Sequence, residues 1–312
     1  MEPTRMSHGR SRIAPALVLL ALAAGCGDTS ANTGDGGMND GGAGDGGATL
    51  RTLDNCGTTT SGGVPAFFTK FFRCVDLSIN GDRVVIKSND LPPHRSAYYN
   101  KTDPNWIAFD TQGGQRIQNP NRISAQAITI QIPMSPVPKG LTIDTTLVDR
   151  MAGTSMQEYR PGVAGVSLDG VAMFNGVAAP GDDIAQEEFT FDSYEAHPEM
   201  RGMYHYHAAS PGPLEVLQAV GAGLTSTTPG SAEIELYAIM CDGTLVLGCT
   251  EFDGTAPDPS SFDAQNGHVG DITGKNGAVY FMGRYHTHVC RAKFPKDRYA
   301  PEIQYYKECV NQ

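Results

Sequence analysis

The chain of 312 residues lacks the short signatures that assign common enzyme classes. It has no H-E-x-x-H, no G-x-S-x-G, no G-x-x-x-x-G-K phosphate loop and no G-x-G-x-x-G opening a βαβ unit. Those absences remove the easy assignments to zinc peptidases, serine hydrolases and nucleotide-dependent enzymes without excluding catalysis. Positive charge is also scarce, with 23 Lys and Arg against 34 Asp and Glu. A chain of net charge −11 is a poor partner for nucleic acid. Beyond the N-terminus no apolar run approaches membrane-spanning length.

The first 26 residues read as an address. Arg5, Arg10 and Arg12 precede the short apolar run Ile13 to Ala24, which ends at "AGC". A small residue before Cys26 resembles the lipobox of bacterial lipoproteins, although Ala23 stands where leucine is more usual. Residues 1–26 are therefore expected to be a lipoprotein signal peptide with Cys26 lipidated. Without residues 1–25 the chain keeps 20 basic and 33 acidic residues, a net charge of −13. Residues 27–48 are almost wholly Gly, Asp, Asn, Ser, Thr and Ala, a composition with too little apolar surface to fold. They read as a flexible tether. The expected location is the bacterial cell envelope, at the periplasmic face or the cell surface, with the lipid membrane as a partner through Cys26.

Residues 49–312 are enough for one domain with a substantial core. Six cysteines remain there, Cys56, Cys74, Cys241, Cys249, Cys290 and Cys309, with no C-x-x-C pair. In an oxidising compartment an even set predicts three disulfides. The sequence-local pairing is Cys56–Cys74, Cys241–Cys249 and Cys290–Cys309.

Helix signals are few, and the best is "PLEVLQAVGAG" from Pro213 to Gly223, with proline near its start and glycine at its end. Strand-like runs dominate: "DRVVIKS", "AITIQIPM", "AGVSLDGVAMF", "EIELYAIMCDGTLVLG" and "AVYFMGRYHTHV". Two of them place Asp-Gly between apolar runs, a strong hairpin signal. The expected fold class is mainly β, with α+β as the alternative, built from antiparallel sheets with little helix.

An internal duplication organises this domain, with half-repeats at about 163–208 and 236–289. The first copy runs "GVSLDGVAMF", "FTFDSYEAH", "MYHYH"; the second runs "LYAIMCDGTLVL", "SSFDAQNGH", "RYHTH". Asp169 precedes Asp192 by 23 residues and Asp242 precedes Asp263 by 21. Asp192 to His197 and Asp263 to His268 are both five residues. The copies then diverge, His197 preceding His205 by eight and His268 preceding His286 by eighteen, so the second has a longer loop.

The histidines carry the chemistry. Alternation along a strand puts His205 and His207 on one face and Tyr204 and Tyr206 on the other. With His197 arriving from the preceding loop, three imidazoles can share a metal ion, and His268, His286 and His288 repeat the pattern. Three-histidine sites suit copper or zinc. Asp192 and Asp263 are further candidate ligands, or acceptors that orient a histidine through its second nitrogen. His94 could complete either site. Asp169 and Asp242 read as turn residues. The copies could form two separate sites or face each other in one composite site, and spacing decides neither.

The "YHYH" tetrapeptide, with an "LDG" hairpin and an Asp-x4-His element before it, resembles the YHYH-domain family of exported proteins. "LPPH" and "NPNRISAQ" (Asn119 to Gln126) are similar to upstream elements of that family. The resemblance covers about residues 82–207 and extends through the repeat to His288. Where members show Gly-Gly-His or Asn-Gly-His, this chain has "EAH" and then "NGH", and its second tetrapeptide is "YHTH". The family implies no settled reaction. The expected function is transition-metal binding by a lipid-anchored protein. The alternatives are a metal-dependent hydrolase or copper oxidase or oxygenase, with Glu195, Glu199, Tyr204 or Tyr285 for acid-base help, and a structural or pH-sensing surface module without metal.

Overall fold

A computed structural model describes residues 49–148, 155–178, 184–290 and 299–311. The expected signal segment, Cys26 and the tether lie outside the described residues. In chain order the strands are β1 (Thr59–Thr60), β2 (Asp76–Asn80), β3 (Arg83–Ser88), β4 (Ile128–Pro133), β5 (Gly165–Ser167), β6 (Ala172–Met173), β7 (Ala196–Pro198), β8 (Tyr204–Tyr206), β9 (Leu236–Met240), β10 (Leu245–Leu247), β11 (Gly267–Thr273), β12 (Val279–His288) and β13 (Val310–Asn311). Three short helices accompany them: α1 (Ala66–Phe71), α2 (Ile184–Glu187) and α3 (Pro211–Ala219). The fold is mainly β, with 27% strand against 11% helix, and neither sheet closes into a barrel.

All five predicted strand runs form strands, and the predicted helix forms as α3. It starts two residues early because Ser210 caps it, the Ser210 hydroxyl accepting from the Gly212 N–H, with Pro211 and Pro213 in the first turn. Both Asp-Gly sequences turn hairpins. Gly170 and Gly243 lie at φ +81° and +97°, a conformation that disfavours side chains.

One sheet has the order β1-β2-β3-β4-β13 and the other β11-β12-β10-β9-β5-β6-β8-β7. Most pairs are antiparallel; β1 with β2, β6 with β8 and β10 with β12 are parallel. A single cluster of buried apolar side chains draws on both sheets, Ile86 and Ile130 from the smaller, Val166, Tyr237 and Leu245 from the larger. Among the described residues no helix is long and apolar enough to cross a membrane.

The large sheet displays the duplication as symmetry. Its central antiparallel pair, β5 with β9, matches Gly165 to Met240, Val166 to Ile239 and Ser167 to Ala238. Each half then runs outward as a hairpin, a parallel strand and an antiparallel edge strand; β12 contains both His286 and His288, whereas β8 contains His205 and ends one residue before His207. The pairing registers correspond: Ala172 with His205 and His197 with His205 in one half, Leu245 with His286 and His268 with His286 in the other.

Two of the three sequence-local disulfides are wrong. The bonds are Cys56–Cys74 as expected, but Cys241–Cys309 and Cys249–Cys290. Cys241 and Cys249 lie at opposite ends of the β9–β10 hairpin, which separates them. Cys249 instead faces Cys290, because both follow the parallel strands β10 and β12 at the same end. Cys241 meets the C-terminal segment just before β13.

Candidate metal centres

The two histidine triplets form two separate clusters on opposite halves of the large sheet, so the composite arrangement does not occur. His197, His205 and His207 make one; His268, His286 and His288, joined by Glu251, make the other. Within each, one ligand atom per residue lies within 4.8 Å of all the others. His197 and His268 sit on β7 and β11, not in loops, paired directly with His205 and His286.

The ring orientations follow from what each Nδ1 faces. A carbonyl cannot donate, so an Nδ1 facing one must carry the proton. His205 Nδ1–H donates to the Met203 carbonyl at 3.0 Å and His207 Nδ1–H to Asn175 at 2.8 Å. His286 donates likewise to Arg284 at 2.9 Å and His288 to Gly248 at 2.8 Å. For His197 the partner is the Thr190 hydroxyl at 2.5 Å, which itself donates to the Glu187 carbonyl, so Nδ1 again donates. Ser261 does the same for His268, its hydroxyl donating to the Asp258 carbonyl.

With neutral imidazoles, all six Nε2 atoms present lone pairs inward. His205 and His207 Nε2 are 3.1 Å apart and His268 and His288 Nε2 are 3.2 Å apart. Two acceptors at that distance repel unless a cation or proton lies between them. Nitrogens bound about 2.0–2.1 Å from a tetrahedral ion are about 3.3 Å apart, so this spacing fits a metal. Protons fit less well in the first cluster: burial pushes His197 down to about 3 and His207 down to about 4, and holds His205 well below its ordinary range. Burial also lowers His288.

Aromatic rings fix the imidazole planes. Phe174 stacks on His205 with centroids 3.8 Å apart, Phe191 on His207 at 5.9 Å and Phe262 on His288 at 5.0 Å. Phe191 and Phe262 each follow the hydroxyl residue that orients the edge-strand histidine, so this support is duplicated too.

The carboxylates are not duplicated. Glu251 lies 3.1 Å from His268 Nε2, 3.2 Å from His286 and 3.6 Å from His288. It begins a tight turn, Glu251 N–H donating to the Thr255 carbonyl, and buried Phe252 packs on Phe71 at 5.1 Å. In the first cluster the nearest acid is Glu187, at the end of α2, 3.5 Å from His207 Nε2 and 3.7 Å from His197. Sequence reasoning missed both. Glu187 is five residues before Asp192 and Glu251 twelve before Asp263, so no shared spacing marks them.

The other candidates lie elsewhere. Asp192 accepts from the Tyr204 hydroxyl at 2.9 Å and from Ser96 at 2.5 Å, and burial, opposed by these bonds, raises it to about 6. Asp263 accepts from the Tyr285 hydroxyl at 2.6 Å. Both therefore hold the tyrosine face of the H-x-H strands, the face opposite the metal-competent one, and are neither ligands nor histidine acceptors. His94 joins neither cluster: its Nε2 is 3.0 Å from the Tyr206 hydroxyl and its ring stacks on Tyr194 at 3.5 Å. Glu195 pairs with Arg116 at 2.8 Å and Glu199 accepts from the Arg201 N–H at 2.9 Å. Asp169 and Asp242 occupy the hairpin turns and are fully buried, each accepting a tyrosine hydroxyl, Tyr206 at 2.8 Å and Tyr159 at 2.9 Å.

No protein-family model matches the chain, and neither a curated protein nor a solved structure does.

Proposed function

We propose that this is an exported, lipid-anchored protein of YHYH type that binds two transition-metal ions, copper or zinc, one in each half of its large sheet. The convergence of three Nε2 lone pairs in each cluster, with every Nδ1 already committed as a donor, carries this reading. Neutral imidazoles with a pinned second nitrogen are the usual preparation of a metal ligand. The N-terminal residues support export and anchoring at Cys26, and three disulfides suit an oxidising compartment.

Elemental analysis of the protein purified from the cell envelope without a His-tag tests it. About two equivalents of copper or zinc per chain are expected, falling to about one in His205→Ala/His207→Ala and in His286→Ala/His288→Ala. A protein that neither carries these ions nor gains thermal stability from them would return the histidines to a structural role.

A further inference from the structure

The two clusters differ in what completes them. In the second, Glu251 approaches all three imidazole nitrogens and supplies a fourth protein donor, the closed set of a structural tetrahedral site. In the first, three imidazoles meet without a fourth ligand among the described residues, and Glu187 approaches His207 and His197, at 3.5 Å and 3.7 Å, without joining all three. That cluster also faces a cleft of about 520 Å3, which His197, His205, His207 and Glu187 line together. Three protein ligands with one open position beside a cavity is the arrangement that exchanges ligands.

The cleft wall indicates what enters. Phe174, Val177, Ala178 and Pro161 form an apolar body, and Glu187 and Glu199 are its charged groups. Among the described lining residues there is no Lys or Arg, so an anion would meet only the metal's own positive charge, opposed by the two carboxylates. We propose, building on the two-metal reading, that the first site keeps one coordination position for a neutral ligand with an apolar or aromatic body and a single nitrogen or sulfur donor, whereas Glu251 closes the second site. The apolar body packs in the cleft while the donor atom takes the position facing it, and Glu187 accepts a hydrogen bond from the ligand or from water in its place.

Cobalt(II) substitution with visible absorption reads this directly, using 4-phenylimidazole as the neutral probe and azide as the anionic one. The wild-type protein loaded with two cobalt ions should respond to 4-phenylimidazole with one equivalent bound and about half of the cobalt absorbance changed. Azide should bind more weakly than 4-phenylimidazole. The response should persist in His286→Ala/His288→Ala and vanish in His205→Ala/His207→Ala. The wild-type titration stands if either variant fails to fold. Two bound cobalt ions that both respond, that both stay silent, or that prefer azide would overturn the open-site proposal and leave metal binding intact. Failure to take up cobalt, copper or zinc would overturn both readings.

Discussion

Val166 and Ile239 are partnered across the two central strands of the large sheet, and they occupy equivalent places in the two halves, 73 residues apart. Their flanking pairs, Gly165 with Met240 and Ser167 with Ala238, exchange under the same shift. This pairing places the local twofold axis, and an axis there sends the two copies outward in opposite directions. Each histidine cluster therefore forms within its own half. The same symmetry repeats the acceptors, since Asn175 and Gly248, whose carbonyls hold His207 and His288, are also 73 residues apart.

Gly248→Ala should weaken the second centre alone. A Cβ at that position would lie 1.9 Å from a Glu235 carboxylate oxygen, which is committed to the Cys249 N–H at 2.7 Å. The displaced carbonyl would release His288 Nδ1, and loss of such an orienting bond typically costs 10–100-fold in metal affinity. Competition with a chromophoric chelator measures it. Unchanged affinity would show that the carbonyl does not orient the ring.

Tyr204→Phe should destabilise the protein by about 1–3 kcal/mol, because it removes a donor from a fully buried carboxyl. Asp192 keeps Ser96 and the Tyr194 N–H as partners, which bounds the loss. Tyr285→Phe should cost less, since Asp263 is less deeply enclosed than Asp192. Urea denaturation of the metal-free proteins compares them, and the reverse order would contradict this account of the two carboxyls.

His94 gives a pH dependence with a defined sign. Burial pushes it down to about 3 from an ordinary value of 6.5, so between those values the unfolded chain binds a proton that the folded one refuses. Its contribution is present in full above about pH 6.5 and is lost as pH falls toward about 3. The stability difference between the wild type and His94→Gln should shrink across that window in denaturation curves. A difference independent of pH would mean that His94 is already protonated in the fold.

Cys249→Ala/Cys290→Ala should lower stability by about 2–5 kcal/mol and affect the second centre before the first. This bond ties the chain just past Gly248 to the chain just past His288, its cysteines lying 41 residues apart in sequence. Non-reduced peptide mapping should recover Cys249 linked to Cys290 and Cys241 to Cys309. Loss of stability with equal weakening of both centres would indicate a global effect only.

Much of this protein is written locally. Apolar runs broken by Asp-Gly place the hairpins, and strand alternation alone puts His205 and His207 on one face and the tyrosines on the other. The repeated Asp-x4-His and H-x-H spacings select the six histidines that converge. What the aspartates of that spacing do was not legible, because a spacing cannot say whether a carboxyl faces its neighbouring imidazole or the tyrosine on the reverse of the strand. The tertiary structure alone decided the order of strands, and with it two centres instead of one. It also decided the disulfide partners and the arrival of Glu251 and Glu187. The physical reason is the same in each case: these contacts join segments distant in sequence, and their geometry is set by sheet pairing and core packing, which leave no periodic mark on the chain.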